Sequence, residues 1–150
     1  MSIDLTRGGE FVTVRLGGQL LGIPVLSVHD VMRMGALTRV PRAPPLVAGV
    51  MNLRGRIVTV IDVRRCLGLP QREPGAPSMG IVVEERGQPY ALVVDGVGDV
   101  VSVPADRYEA HPGTLSPVWR AVTGGVYRLD ELLLVLDIGR LLASGVAEAA

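Results

Sequence analysis

The sequence predicts a mainly β fold built from two small barrels, with a few short helices. Two observations support this prediction. Hydrophobic residues make up 48% of the 150 residues, but they occur in short runs that often alternate with polar residues, which is typical of strands. The second half of the chain also repeats the pattern of the first half. We therefore expect one domain over residues 1–150, with two barrel subdomains and a linker near residues 69–78.

The repeat is visible at both ends of each unit. A shift of 69 positions places residues 18–31 on residues 87–100, with six identical pairs in fourteen. A shift of 75 positions places residues 46–67 on residues 121–142. Because the matches keep the same order and drift by only six residues, they favour a duplicated fold.

Two hairpins are predicted in the first half. A strand at residues 11–16 and a strand at residues 19–25 flank the turn residues Gly17 and Gly18. A second hairpin turns at Gly55, which tolerates the positive φ of a tight turn, and continues into a β-branched strand at residues 57–61. The second half repeats this scheme, with strands predicted at residues 79–85, 90–94, 97–103, 121–127 and 132–136.

Three short helices are predicted between or after these strands. Residues 44–50 begin with two prolines, which favour the first turn of a helix. Residues 62–68 begin with Asp62 and end with a glycine, and a closing helix follows Asp137 over residues 137–143. We interpret Asp62 and Asp137 as helix N-caps rather than as catalytic acids, because the repeat supplies one in each half.

The charge of the chain argues against nucleic-acid binding. All 15 basic residues are arginine, they balance 15 acidic residues, and aromatic residues make up only 3%. The distribution is uneven, since residues 31–72 carry eight Arg and one Asp while residues 73–137 carry ten acidic residues and four Arg. This asymmetry either steers a charged partner or reflects an arginine-biased composition, and the sequence leaves both interpretations open.

The sequence shows neither a membrane span nor a secretory signal. No apolar run reaches the roughly 18 residues that cross a bilayer, and no basic stretch followed by an apolar region begins the chain. The single cysteine, Cys66, has no partner for an internal disulfide. We therefore expect a cytoplasmic protein with no direct membrane insertion.

Motifs for catalysis and cofactor binding are also missing. His29, His111 and Cys66 have no spacing that resembles a zinc site. Neither a phosphate-binding glycine loop nor a nucleophile elbow occurs in the sequence. We therefore expect no enzyme activity, no cofactor and no metal.

Asp30 and Arg54 are the candidate binding residues. An arginine beside a hairpin glycine contributes nothing to a core, and its planar group suits a carboxylate on another chain. An internal ion pair between Arg54 and an acid such as Asp30 is the alternative, and both interpretations remain open at this stage. Val28 and Val94 are interpreted mainly as core residues, with a groove-lining role as the alternative.

Several short motifs carry a family resemblance. They include Gly-Ile-Pro-Val at 22–25, Val-His-Asp-Val at 28–31, Asn-Leu-Arg-Gly at 52–55, Val-Val-Asp-Gly-Val at 93–97 and Leu-Val-Leu-Asp-Ile at 134–138. Together they resemble the CheW family of bacterial chemotaxis coupling proteins. The Asn-Leu-Arg-Gly turn is the most specific of these motifs, and the likeness extends from about residue 11 to residue 142.

This resemblance implies a noncatalytic adaptor with two five-stranded SH3-like barrels around a shared hydrophobic core. CheW-like adaptors bridge the cytoplasmic hairpin tips of chemoreceptors and the regulatory domain of the histidine kinase CheA, at the inner face of the membrane. The resemblance implies that the groove between the barrels binds the receptor and that the barrel ends bind the kinase. By the same resemblance Asp30 and Arg54 face the receptor, with Val28 and Val94 as apolar neighbours. Asp30 stands where the family usually carries Glu, so the acid is one methylene shorter.

A second function remains open from the sequence. The groove between two barrels is also a place where a small ligand binds, so the alternative is a regulatory sensor domain. The sequence does not separate an adaptor for flagellar chemotaxis from one for surface motility.

Overall fold

Two β-sheets make up most of the structure. The computed structural model describes residues 5–35, 38, 40–43, 45–73, 75–110 and 115–149, with side chains up to residue 143. In chain order the strands are β1 (Gly9–Leu16), β2 (Gln19–Pro24), β3 (Val28–Arg33), β4 (Val47–Leu53), β5 (Arg56–Asp62), β6 (Met79–Glu85), β7 (Gln88–Val94), β8 (Gly96–Val103), β9 (Tyr108–Glu109), β10 (Thr123–Arg128) and β11 (Leu132–Leu136). The helices are α1 (Val63–Cys66), α2 (Pro117–Val122) and α3 (Ile138–Ala149). The predicted mainly β class is confirmed.

The strand order shows that the two halves of the sequence are interleaved. The six-stranded sheet has the order β8-β1-β2-β11-β10-β9, and the five-stranded sheet has the order β3-β6-β7-β5-β4. The first hairpin of each half thus joins the later strands of the other half, through the parallel pairs β2–β11 and β5–β7. The exchange matters because an isolated hairpin is marginally stable in water.

This pairing differs from the expectation of one barrel for each half of the sequence. The segment at residues 69–78 leads from α1 to β6 and therefore connects strands of the same five-stranded sheet. The chain instead crosses between the sheets after β2 and after β7. Short local patterns predict strands but not which strand completes which sheet, and the division into two barrel subdomains stays a prediction.

Among the described residues, three apolar clusters account for the core. The largest lies between the two sheets and contains residues from both, including Val14, Ile23, Ile81 and Leu92. Each sheet also packs its other face around a smaller cluster, one with Tyr127 among its members and one that contains Val58, Val60, Val82, Ala91 and Val93. The resemblance implied a shared hydrophobic core, and the large cluster is shared in this way.

The helix predictions had mixed outcomes. The helix predicted at residues 44–50 is wrong, because residues 47–53 form strand β4, which pairs along its length with β5; residue 44 lies outside the described residues. Both predicted N-caps are confirmed, since the carboxylates of Asp62 and Asp137 accept hydrogen bonds from the backbone N–H of Arg64 and Arg140. The strand predicted at residues 121–127 begins only at Thr123, after helix α2.

Candidate functional site

A tight turn at the tip of the β4–β5 hairpin presents Arg54. Leu53 pairs with Arg56, so the loop between the strands has two residues, Arg54 and Gly55, with φ values of 53° and 84°. Two successive positive φ angles are typical of a type I′ turn, which suits the twist of a hairpin. The side-chain oxygen of Asn52 accepts a hydrogen bond of 2.9 Å from the N–H of Gly55. The Asn-Leu-Arg-Gly motif thus encodes the turn and projects its arginine.

A bulge in β3 directs Asp30 towards this arginine. Val28 pairs with Val83 whereas Asp30 pairs with Val82, so one extra residue, His29, interrupts the ladder. Because residues that pair directly share a face of the sheet, Val28 faces the inter-sheet core and Asp30 faces the other side. A regular strand would have placed both side chains on one face.

Asp30 and Arg54 form an ion pair at the surface. One carboxylate oxygen of Asp30 accepts a hydrogen bond of 2.8 Å from the N–H of Val31, and the other lies 3.1 Å from Nη2 of Arg54. The side chain of Arg54 is 79% exposed and that of Asp30 is 25% exposed. A pair this open contributes about 0–1 kcal/mol to stability. The internal pair considered from the sequence therefore exists, yet most of the guanidinium remains accessible.

A small cleft lies beside this ion pair. Its volume is about 200 Å³, and we call it the hairpin cleft. Charged side chains form its rim, while Leu53, Val58 and Val82 are among the apolar residues that line it. Small-molecule sites usually measure roughly 300–1,000 Å³. The hairpin cleft is thus better suited to one side chain of a protein partner than to a cofactor.

The two predicted valines, Val28 and Val94, differ in how deeply they are buried. Val28 is half-buried and packs against the core between the sheets. Val94 is fully buried in that core, on a strand that is paired on both sides. This burial agrees with the core role preferred from the sequence, and the receptor contact that the resemblance implied for Val94 stays a prediction. Three of the four predicted site residues therefore keep some exposed surface.

A larger groove runs between the two sheets. Its volume is about 720 Å³. It is lined by residues of both sheets, among them Pro24 and Glu84, and by Ile138 of α3; we call it the inter-sheet groove. Leu26, at its edge, is 93% exposed. His29 lines both the groove and the hairpin cleft, and its Nε2 lies 3.7 Å from a carboxylate oxygen of Glu84. The two depressions are therefore neighbours on one surface.

A second charged cluster, centred on Asp95, was missed by sequence reasoning. Its carboxylate accepts hydrogen bonds of 2.7 and 3.0 Å from Arg64 and one of 2.9 Å from Arg72. The N–H of Gly17, in the β1–β2 turn, donates a further bond of 2.8 Å. Asp95 therefore links a turn of the six-stranded sheet to the segment after β5. In the internal repeat Asp95 falls opposite a leucine, so that alignment gave no signal for this role.

The cluster keeps Asp95 ionised. Partial burial alone would raise the pKa of the carboxyl, but hydrogen bonds from Arg64, Gly17 and Arg72, together with the charge of Arg64, lower this pKa to about 2. The same contacts raise the pKa of the Arg64 guanidinium above its ordinary value. The arrangement is an anchor between structural elements, in which two guanidinium groups share one carboxylate.

The described residues contain neither a metal-binding cluster nor a membrane-spanning helix. No group of three or more His, Cys, Asp or Glu side chains among the described residues is placed to hold a metal ion. His111 lies outside the described residues. No helix in the described part of the chain is long and apolar enough to cross a membrane.

Comparisons with known proteins agree on one family. Residues 10–146 match the family model of the CheW-like domain. The chain is 33% identical to the chemotaxis protein CheW of Klebsiella aerogenes over 140 aligned residues. This alignment covers 93% of this chain and 84% of the relative. It is 28% identical to a probable chemotaxis protein CheW of Rhizobium etli over 142 aligned residues, and this alignment covers 94% of this chain and 92% of the relative. The crystal structure of the scaffolding protein CheW from Thermoanaerobacter tengcongensis superimposes with a TM-score of 0.80 at 28% identity, over 89% of this chain and 92% of that one.

Proposed function

The chain belongs to the CheW family, and from this premise we propose that it bridges the cytoplasmic hairpin tips of chemoreceptors and the regulatory domain of the histidine kinase CheA. It is a chemotaxis coupling protein, and we propose that it acts without catalysis. Its place would be the cytoplasm, at the inner membrane face through receptor complexes. The chemotaxis proteins that it matches over most of its length support this role. They do not support the alternative of a ligand-sensing domain.

The observation that carries the proposed receptor contact is the exposed Asp30–Arg54 pair at the rim of an apolar cleft. A receptor hairpin tip offers helices with apolar and charged residues on one face. Such a helix binds in a groove through a few apolar side chains, while charges at the rim fix its register. Leu53 and Pro89, which line the cleft, are half-buried, so an inserted side chain would meet accessible apolar surface.

A co-sedimentation assay tests this proposal. Purified protein is mixed with membranes that carry a cognate chemoreceptor, with and without CheA. We expect the wild type to bind both partners and Arg54→Glu to lose receptor binding while it keeps CheA binding. Arg107→Glu is the matched control, because Arg107 is also exposed but lines neither the hairpin cleft nor the inter-sheet groove.

A double variant separates a structural role of the ion pair from a binding role. Asp30→Arg combined with Arg54→Asp restores an internal pair of opposite polarity. If the pair serves only the fold, the double variant will bind the receptor like the wild type. We expect it to remain defective, because the receptor would then meet reversed charges at both positions. Unchanged receptor binding in Arg54→Glu would overturn the site assignment.

A further inference from the structure

Arg56 is the second arginine of the β4–β5 hairpin, and it lines the hairpin cleft. It pairs with Leu53 across the turn, so the two side chains share one face of the hairpin. Val58, two residues further along β5, lies on the same face and is buried. The opposite face carries Ile57, which is 64% exposed. The aliphatic part of Arg56 therefore extends the apolar wall while its guanidinium stays at the rim.

The charges around the rim leave Arg56 without a counter-ion. Arg54 is paired with Asp30, and Glu84 lies next to His29. Across the part of the chain that the structure describes, the guanidinium of Arg56 has no hydrogen-bond or ion-pair partner. Its side chain is exposed and carries a positive charge. A positive charge fixed beside an apolar cleft is complementary to a partner that carries an acid next to an apolar side chain.

We propose that Arg56 is a specificity-determining residue, which pairs with an aspartate or glutamate of the receptor hairpin while a neighbouring apolar side chain enters the hairpin cleft. The proposal rests on the receptor contact proposed above and adds the chemistry of the segment that is recognised. Side chains three or four residues apart lie on one face of a helix. The recognised motif is therefore an apolar residue with an acidic residue one helical turn away.

The volume of the cleft agrees with this assignment. About 200 Å³ is room for one apolar side chain, not for a whole helix. Specificity must then come from the rim, where Arg54 projects from the two-residue turn and Arg56 from the first position of β5. The two arginines have different surroundings: one is held by Asp30, whereas the other is free to meet a partner's carboxylate.

A binding titration with the full-length chain tests the proposal. Receptor hairpin tips displayed on vesicles are titrated with wild type, Arg56→Glu, Arg56→Gln, Arg54→Glu and the control Arg107→Glu. We expect Arg56→Glu to weaken binding about tenfold and Arg56→Gln about threefold, as for loss or reversal of one exposed charge contact. The loss should shrink when salt rises from about 50 to about 300 mM, since rim charges are screened.

A second arm identifies the partner charge. Each exposed acidic residue of the receptor tip is replaced by lysine, one at a time, and tested against Arg56→Glu. Restored binding for one of these replacements would support the proposal. Melting temperatures of the variants should match that of the wild type, because the guanidinium of Arg56 has no contact to lose within the described residues.

The outcomes separate this inference from the proposed function. If the wild type binds and Arg54→Glu does not, but Arg56→Glu behaves like Arg107→Glu, the inference on Arg56 is overturned and the receptor contact stands. Tighter binding of Arg56→Glu would also overturn it, because the partner would then be basic at this point. If the wild type itself does not bind the receptor, the proposed function fails and the inference fails with it.

Discussion

Replacement of Asp95 by asparagine should destabilise the fold at neutral pH and have a vanishing effect in acid. Contacts with Arg64, Gly17 and Arg72 lower the pKa of this carboxyl from 3.8 to about 2. At about 1.4 kcal/mol for each pKa unit, this difference corresponds to roughly 2 kcal/mol. Because Asp95 is about one quarter exposed, water screens part of the interaction, and we expect a loss of about 1–2 kcal/mol at pH 7.

The pH dependence follows from the direction of the shift. Above pH 4 the carboxyl is ionised in both the folded and the unfolded chain, so its full contribution is present. Between pH 4 and 2 the unfolded chain takes up a proton while the folded chain does not, and the contribution is lost. Below pH 2 a protonated Asp95 resembles the asparagine of the variant. The difference between the two proteins should therefore close as the pH falls.

Urea denaturation of wild type and Asp95→Asn between pH 7 and pH 3 measures this difference. Glu131→Gln is a suitable control, because Glu131 also pairs with an arginine, Arg15, but at an exposed position. A hydrogen bond from Arg15 lowers the pKa of Glu131, yet screening by water should leave a much smaller effect. A difference between wild type and Asp95→Asn that stays constant from pH 7 to pH 3 would refute the reasoning.

Two further predictions concern the turn and the core. Arg54→Asn should raise the free energy of unfolding by about 0.5–1 kcal/mol, because asparagine tolerates positive φ better than arginine, and it should weaken receptor binding. Arg86 occupies the matching position of a second Arg-Gly turn, with φ values of 51° and 77°. Arg86→Asn should therefore give the same gain in thermal melting without the loss of binding. If neither variant is more stable than the wild type, arginine is not strained at these two turn positions. Val94→Ala should lower the free energy of unfolding, measured by chemical denaturation, by roughly 2 kcal/mol. Receptor binding of the folded variant should be unchanged. A binding defect in a fully folded variant would show that Val94 contributes to the receptor contact.

The Asp95 cluster also has a place in the architecture. The chain crosses from the five-stranded to the six-stranded sheet directly after β7, and Asp95 lies at this crossing. Its contacts with Gly17 and Arg64 connect parts of the first half of the chain to a residue of the second half. Charge pairing thus reinforces a junction at which the backbone N–H of Asp95 also donates a hydrogen bond to the carbonyl oxygen of Arg15 in β1.

Much of the local structure was predictable from the sequence. The first hairpin, the turn at Gly55 and the caps at Asp62 and Asp137 each depend on residues a few positions apart. The helix predicted at residues 44–50 was wrong because pairing with a neighbouring strand, and not the preference of the segment alone, decides its structure. Residues 47–53 pair with β5, and this contact outweighs the local preference for a helix start at the prolines.

The candidate site was predictable only in part. Arg54 could be identified because an arginine in a hairpin turn does not contribute to a hydrophobic core. Asp30 could be identified because the family resemblance implied it. For Val94 the sequence left a core role and a groove-lining role open, because a valine on a strand has the same sequence pattern in both, and its burial agrees with the core role. Arg56 was overlooked, since nothing in its sequence context shows that it is unpaired or that it lines a cleft.

The sequence by itself determined the mainly β class, the duplicated order of strands and the turn that projects Arg54, because these depend on alternation, repetition and the φ preferences of single residues. Only the tertiary structure decided how the halves are interleaved and which residues meet at the hairpin cleft. The bulge at His29 is the clearest example, since one inserted residue moves Asp30 to the face opposite Val28. The side-chain direction of a strand depends on its pairing partner, and that partner lies more than fifty residues away in the chain.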